Sequence, residues 1–234
     1  MAPKPKAENQ VLVKWKPLFW ITGLALYTII FLVFIQIIVY VVNPPPKDVI
    51  GFFNLFQKNI ILGLLSLDVI MFIDWILQIP LFLTLYILLK RKNESYMLLA
   101  TALGLVGIAI YFSSGIAFEM LSLSGQYAIA ATEVQKTSLL SAGQMLLATY
   151  QGTAFNVSYI LVALALLIDS FVMLKSEFFT RITAYIGIAM GILMLIPPTV
   201  GTIGLIFSFL SLIPMMVWFV IVGKRLSKLP EIIS

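Results

Sequence analysis

Long apolar segments separated by short polar connections make up most of the chain. Six of them approach the length of a membrane-spanning helix, at residues 18–42, 60–89, 96–123, 154–174, 179–196 and 202–222. A bilayer core of about 30 Å needs about 20 apolar residues in a helix. Prolines at 44–46 and 197–198 mark the ends of the first and fifth segments, because proline lacks the amide donor that would continue a helix. The pattern predicts an all-α, polytopic membrane protein, with one membrane domain over residues 1–234 built as a bundle of six transmembrane helices.

Two of the connections carry helical patterns of their own. Residues 47–58 place apolar side chains on one helical face, at Val49, Phe52, Phe53 and Phe56. Residues 124–152 are rich in good helix formers, and a structureless loop of that length would be unusual. We therefore expect a short amphipathic helix in the first segment and one or two in the second, lying on the outer face of the membrane.

Composition supports the membrane assignment and limits the chemistry. The chain is 61% hydrophobic and 11% charged, whereas an ordinary soluble domain has about 25% charged residues. It contains no cysteine and no histidine, which excludes disulfides, thiol nucleophiles, imidazole bases and the commonest zinc ligands. We predict no cofactor and no metal site.

The distribution of basic residues predicts the orientation. On a six-span chain with a cytoplasmic N-terminus, twelve of the fifteen lysines and arginines fall inside, and three fall outside, namely Lys47, Lys58 and Lys136. Such a bias sets membrane topology, so both termini are predicted to be cytoplasmic. The same clusters account for the net charge of +5 without a nucleic-acid partner. The lipid bilayer is the expected partner, and the oligomeric state stays open.

Several acidic residues lie inside the apolar segments. The stretch "SLDVIMFIDWILQIPL" at 66–81 holds Asp68 and Asp74, and later segments hold Glu119 and Asp169. A carboxylate in the membrane costs between ~2.5 and ~10 kcal/mol unless protein or water shelters it, so each is a functional candidate. Asp169 lies close to Lys175 and Arg181, with which it can form an ion pair at the inner edge.

Asp74 and Gln78 are the candidates for a ligand site at the middle of the membrane. They are four residues apart and share one helical face, and Pro80 frees the backbone carbonyl of Ile76 close by. Asp68 and Glu119 are further candidate ligand-binding residues in the outer half. The alternative for all of these side chains is structural, with each acid hydrogen-bonded to a Ser, Thr or Tyr of a neighbouring helix.

Two functional hypotheses follow from these residues. The first is a small-solute or proton-coupled carrier, or a ligand-binding sensor, whose ligand is a small cation, a protonatable amine or a proton. The second is a non-transporting membrane protein that binds lipid or a partner transmembrane helix. An enzyme is less favoured, because Asp68 and Asp74 diverge on their helix and an aspartyl site needs two carboxylates together. Asp68 and Glu119 are the remaining pair that neighbouring helices can bring together.

The last third of the chain carries short basic connections between apolar segments, in "VMLKSEFFTRITAYIGIAMGIL" and "MVWFVIVGKRLSKL". Within the first, "GIAMG" at 187–191 is a small-residue face that permits close helix packing inside the bundle. These stretches resemble uncharacterised prokaryotic multi-pass membrane proteins. The resemblance implies the cytoplasmic membrane of a prokaryote, and it implies no reaction and no catalytic residue.

Overall fold

The computed structural model describes residues 12–232, and every regular element between residues 16 and 232 is an α-helix. In chain order the helices are α1 (Lys16–Val42), α2 (Val49–Lys58), α3 (Ile60–Ser66), α4 (Val69–Leu77), α5 (Ile79–Leu89), α6 (Glu94–Phe112), α7 (Ala117–Ile129), α8 (Glu133–Tyr150), α9 (Thr153–Met173), α10 (Arg181–Leu193) and α11 (Gly201–Ile232). The predicted all-α class is confirmed for this part of the chain.

Five helical stretches of the described chain are long and apolar enough to cross a membrane. They are Lys16–Val42, Val69–Leu89, Glu94–Ile129, Glu133–Met173 and Gly201–Glu231. The fifth predicted span, 179–196, contains the apolar helix α10, whose 13 residues extend only about 20 Å at 1.5 Å per residue. These apolar helices identify a membrane protein embedded in a lipid bilayer.

Contacts at one end of the bundle join three parts of the chain. Lys92, in the connection before α6, forms an ion pair with Glu177, in the connection before α10. Close by, the Nε of Arg225 on α11 donates a 2.8 Å hydrogen bond to the carbonyl of Phe178. The Lys92 ammonium holds the pKa of the exposed Glu177 carboxyl below its usual range. We call this end the basic end.

The opposite end carries a second hydrophobic core. The first core packs the long helices together, and the second joins α2, α7 and α8 around Phe53 and Met120. The hydroxyl of Ser124 on α7 donates a 2.9 Å hydrogen bond to the carbonyl of Phe53, which fixes the two helices together. We call the layer of α2, α7 and α8 the cap.

Two of the cap helices, α2 and α8, fall in the two segments predicted to be amphipathic, whereas α7 begins within the span predicted at 96–123. Asp48 starts α2 by accepting a 2.7 Å hydrogen bond from the amide of Gly51, and the apolar side chains predicted to share a face are buried. Thr132 starts α8 with a capping box completed by Gln135. The segments are helical as predicted, and their position at a membrane surface stays a prediction.

Two predicted spans are interrupted. The span predicted at 96–123 leaves helix after Phe112, because the Ser113 and Ser114 hydroxyls each bond a carbonyl of the preceding turn at 2.7 Å and end the helix there. The span predicted at 60–89 consists of three helices, α3, α4 and α5, with breaks at 67–68 and at Gln78. The sequence pattern shows the apolar character of both segments but not these breaks.

Small residues allow the closest helix contacts. A Cβ atom on Gly23 of α1 would lie 3.1 Å from the carbonyl oxygen of Gly223 on α11, so the two backbones meet there. On α10, a Cβ on Gly191 would lie 2.5 Å from the Leu167 side chain of α9, and Gly187 faces Ser170 of the same helix. The "GIAMG" face therefore packs inside the bundle, as predicted.

Candidate functional site

Asp68 occupies the break between α3 and α4. Its backbone is left-handed, with φ of 60° and ψ of 27°, and no other non-glycine residue of the described chain has a positive φ. This conformation costs an ordinary residue about 1–2 kcal/mol, although aspartate tolerates it better than most. A strained residue persists only where its surroundings hold it, and such residues cluster at functional sites.

Two tyrosines from distant parts of the chain hold the Asp68 carboxylate. The hydroxyl of Tyr40, in the last turns of α1, donates to Oδ1, and the hydroxyl of Tyr150, at the end of α8, donates to Oδ2. The first span, the broken second span and the cap therefore meet at one carboxylate. Each oxygen accepts one bond here and retains capacity for another.

Asp68 opens onto a cavity of about 680 Å³ at the cap end of the bundle. Its polar lining includes Tyr40, Lys47, Ser66, Tyr150 and Thr199 beside Asp68. Proline and phenylalanine side chains complete the wall. A volume of this size is typical of a pocket for a small molecule, in which a few polar groups sit among apolar ones. We call it the outer cavity.

Two buried polar side chains beside Asp68 keep hydrogen-bonding capacity. Ser66 lines the outer cavity, and its hydroxyl has no partner in the structure. Gln36 on α1 donates a 3.2 Å hydrogen bond to the carbonyl of Leu65, while its own side-chain oxygen has no partner. Neither residue was among the site residues predicted from the sequence. Gln36 could have been recognised from the sequence, because it is the one amide side chain within the apolar segment 18–42.

Asp74 and Gln78, the residues predicted to form a ligand site at the middle of the membrane, do not hydrogen-bond to each other through their side chains. Asp74 is 2% exposed, and neither carboxylate oxygen has a hydrogen-bond partner. The Gln78 amide lies 3.5 Å from the backbone carbonyl of Asp74, so it bonds its own helix rather than the carboxylate. Asp74 is also not part of the outer cavity's lining.

A row of aromatic rings joins the outer cavity to the helical turn that carries Asp74. The Phe155 ring lines the cavity and lies 6.3 Å from the ring of Tyr111 on α6. Tyr111 in turn stacks on Trp75, with centroids 4.2 Å apart and planes 4° from parallel. We call these rings the aromatic row.

The remaining acidic candidates lie apart from this cavity. Glu119 on α7 is exposed, and no hydrogen bond joins it to Asp68. Asp169 is 1% exposed, and its oxygens have no hydrogen-bond partner, so the expected ion pair with Lys175 or Arg181 is not formed. Within residues 12–232, no three acidic side chains come together as metal ligands.

The family model for a domain of unknown function, DUF4386, matches residues 21–226. The chain belongs to the DUF4386 family. Searches of the curated proteins and of the solved structures gave no match. The DUF4386 match includes Asp68, both tyrosines that hold it, and the whole of the aromatic row.

The DUF4386 description names no reaction and no ligand, so the function has to be argued from the geometry. The outer cavity is where the structure brings predicted and unpredicted polar residues together. Asp68 was predicted as a candidate in the outer half, whereas Tyr40 and Tyr150 were not among the predicted site residues. The fold brings the end of α1 and the end of α8 together, so that both hydroxyls hydrogen-bond to the Asp68 carboxylate.

Proposed function

We propose that this membrane protein is a carrier that takes a small protonatable solute into the outer cavity and passes it toward Asp74. The observation that carries the proposal is the break at Asp68. A carboxylate stands there at an interrupted helix within an apolar span, and it opens on a cavity of about 680 Å³. Interrupted helices with polar groups are where transporters hold their substrates, because the broken backbone needs protein or water to satisfy it.

Asp74 is the second binding position on the proposed route. Its carboxylate is buried without a partner, so a protonated ligand or a proton arriving there meets an acceptor with free capacity. The aromatic row stands along the route from the outer cavity. Movement of the Tyr111 ring away from Trp75 is the step we assign to passage between the two acids.

The proposed topology has six crossings with both termini in the cytoplasm of a prokaryotic cell. Two contacts support a crossing by α10 despite its length. Phe178, just before α10, meets Arg225 at the basic end, whereas Thr199, just after α10, donates a hydrogen bond to Asn156 and lines the outer cavity. A short span can be accommodated by local thinning of the bilayer.

Uptake into proteoliposomes tests the carrier. The wild-type protein is expected to accumulate a labelled primary amine, drawn from a series of one to six carbons. Asp68→Asn and Asp74→Asn should abolish uptake while eluting as folded protein on size exclusion. Binding that is lost in Asp68→Asn, without uptake by the wild type, would identify a sensor instead. Absence of both binding and uptake across the series would overturn the proposal.

A second candidate is favoured by one observation. Asp74 is buried away from the outer cavity's lining, as expected if the protein transports nothing and binds lipid or a partner transmembrane helix. In that case Asp74→Asn would lower the melting temperature, and no separate functional loss would accompany it. The carrier predicts the reverse, with the melting temperature kept and the uptake lost.

A further inference from the structure

We propose that the outer cavity selects a small zwitterion, with its amine at Asp68 and its anionic group at Lys47. This inference rests on the proposed function, because it names the class of solute that the same cavity takes. The observation behind it is that the residues lining one cavity of about 680 Å³ include one aspartate, Asp68, and one lysine, Lys47.

The two charges are available to a ligand rather than to each other. Lys47 is exposed and forms no hydrogen bond or ion pair with the described residues. Asp68 accepts bonds from Tyr40 and Tyr150, one on each oxygen, which leaves a free acceptor position on each. A bound zwitterion would give each charge a partner of opposite sign.

Asp48 is the acidic residue next to Lys47 in the sequence, and its carboxylate serves as the N-cap of α2. Its side chain accepts the 2.7 Å hydrogen bond from Gly51 that starts α2, and it is not part of the cavity's lining. The charged groups that line the outer cavity are therefore Asp68 and Lys47. A simple cation would be attracted by Asp68 and repelled by Lys47. The two residues together therefore disfavour an amine that lacks an anionic group.

Ser66 adds a neutral group that a ligand can use. It is 2% exposed, it lines the outer cavity, and its hydroxyl has no partner. A buried hydroxyl without a partner costs free energy until something bonds it. A carboxylate or an amine in the cavity would supply that bond, and the hydroxyl would discriminate against ligands that are only apolar.

A binding experiment with three probes of equal length separates the possibilities. The probes are γ-aminobutyrate as the zwitterion, n-butylamine as the cation and butyrate as the anion, titrated calorimetrically into the purified full-length protein at pH 7. The zwitterion is expected to bind at least tenfold more tightly than either single-charge probe. Equal or weaker binding of the zwitterion relative to n-butylamine would overturn the inference.

Three variants test which residue binds the amine of the ligand and which binds its anionic group. Lys47→Gln should lower the affinity for γ-aminobutyrate about tenfold, to that of n-butylamine, and leave the amine's own affinity unchanged or higher. Asp68→Asn should weaken both probes. Lys58→Gln is the matched control, since it removes the lysine at the end of α2, the helix that follows Lys47, and Lys58 is not part of the outer cavity's lining.

The outcomes also separate this inference from the proposed function. If n-butylamine binds as tightly as γ-aminobutyrate and Lys47→Gln changes neither, the zwitterion inference fails and the protonatable solute stands. If none of the three probes binds a folded wild-type protein, both the inference and the proposed function fail. Tight binding of butyrate that needs Lys47 and not Asp68 would assign an anion and overturn both.

Discussion

Tyr150 donates a hydrogen bond to Asp68 across 82 positions of sequence, from the end of a cap helix to a break in a membrane span. The contact sets the distance between the cap and the bundle at the mouth of the outer cavity. Because the Asp68 carboxylate also accepts a hydrogen bond from Tyr40, it links the end of α1, the broken second span and the cap.

The first prediction concerns the hydrogen bond from Tyr150 to Asp68. Tyr150→Phe removes one hydroxyl and leaves an acceptor oxygen of Asp68 without its bond, which should cost about 1–3 kcal/mol. We expect a lower melting temperature for the purified protein in detergent, measured by intrinsic fluorescence.

Tyr185→Phe is the control for that measurement, because Tyr185 is 60% exposed on α10 and lies outside the outer cavity's lining. Its free energy of unfolding should lie within about 0.5 kcal/mol of the wild-type value, as is usual for surface substitutions. Equal effects of the two substitutions would show that the Tyr150 hydroxyl contributes nothing at Asp68.

The backbone of Asp68 gives a second prediction. Asp68→Gly and Asp68→Ala both remove the carboxylate, so they differ mainly in how they tolerate φ of 60°. Glycine adopts this conformation freely, whereas alanine pays about 1–2 kcal/mol for it. The glycine variant should therefore be the more stable of the two, although alanine is the better helix former by about 1 kcal/mol.

Chemical or thermal unfolding of the two variants checks this order. An alanine variant as stable as the glycine variant would mean that residue 68 has ordinary helical backbone in the membrane. The second span would then be continuous, and the break that carries the proposed function would be lost.

These comparisons show what the sequence could and could not predict. Apolar length predicted the helices, because burial in a bilayer demands it, and the spacing of Phe52, Phe53 and Phe56 predicted the buried face of α2. At the break, the Asp68 carboxylate accepts hydrogen bonds from Tyr40 and Tyr150, which only the folded chain brings together. Local pattern therefore indicated that Asp68 was a candidate, and tertiary contact decided where its carboxylate points.

Asp74 shows what helical spacing in the sequence cannot predict. Its spacing from Gln78 correctly placed the two residues on one helical face, yet the amide bonds a backbone carbonyl instead of the carboxylate. Helical periodicity gives the face of a residue but not the rotamer of a long side chain. The partner of a buried acid therefore cannot be read from i and i+4 spacing alone.

The third prediction uses that unpartnered acid. Asp74→Asn keeps the shape of the side chain and breaks no hydrogen bond to the carboxylate, so the melting temperature should not fall. Uptake should be lost, because the amide cannot accept a proton or balance a cation. Uptake by reconstituted protein and a melting curve on the same preparation are the two measurements.

Asp169→Asn is its matched control. Asp169 is also buried and also lacks a hydrogen-bond partner, but it lies on α9 about 20 Å along the helix from Phe155, whereas Asp74 adjoins Trp75 of the aromatic row. This variant should retain uptake. Loss of uptake in both variants would point to a general requirement for buried acids rather than to a route through Asp74.

The fourth prediction concerns the contact between the first and last long helices. Gly23→Ala places a Cβ 3.1 Å from both the Gly223 carbonyl oxygen and the Ser227 amide nitrogen, and these backbone atoms have to move. Overpacking of this kind costs about 1–3 kcal/mol, so the melting temperature should fall. Gly125→Ala is the control, because nothing lies within 4 Å of its added Cβ. An unchanged melting temperature for Gly23→Ala would contradict the close packing of α1 on α11.

The last prediction tests the crossing by α10. The chain has no cysteine, so a single introduced thiol reports the side of the membrane on which it lies. Lys136→Cys in the cap should react with a membrane-impermeant maleimide on intact cells, and Lys175→Cys should react only after permeabilisation. Val200→Cys decides the question, since Val200 is 55% exposed and lies in the connection after α10, immediately before α11. We expect it to label from outside, because its neighbour Thr199 lines the outer cavity with Tyr150 of the cap. Labelling of Val200→Cys only after permeabilisation would place both ends of α10 on the inner side, which would leave five crossings and put the two termini on opposite sides.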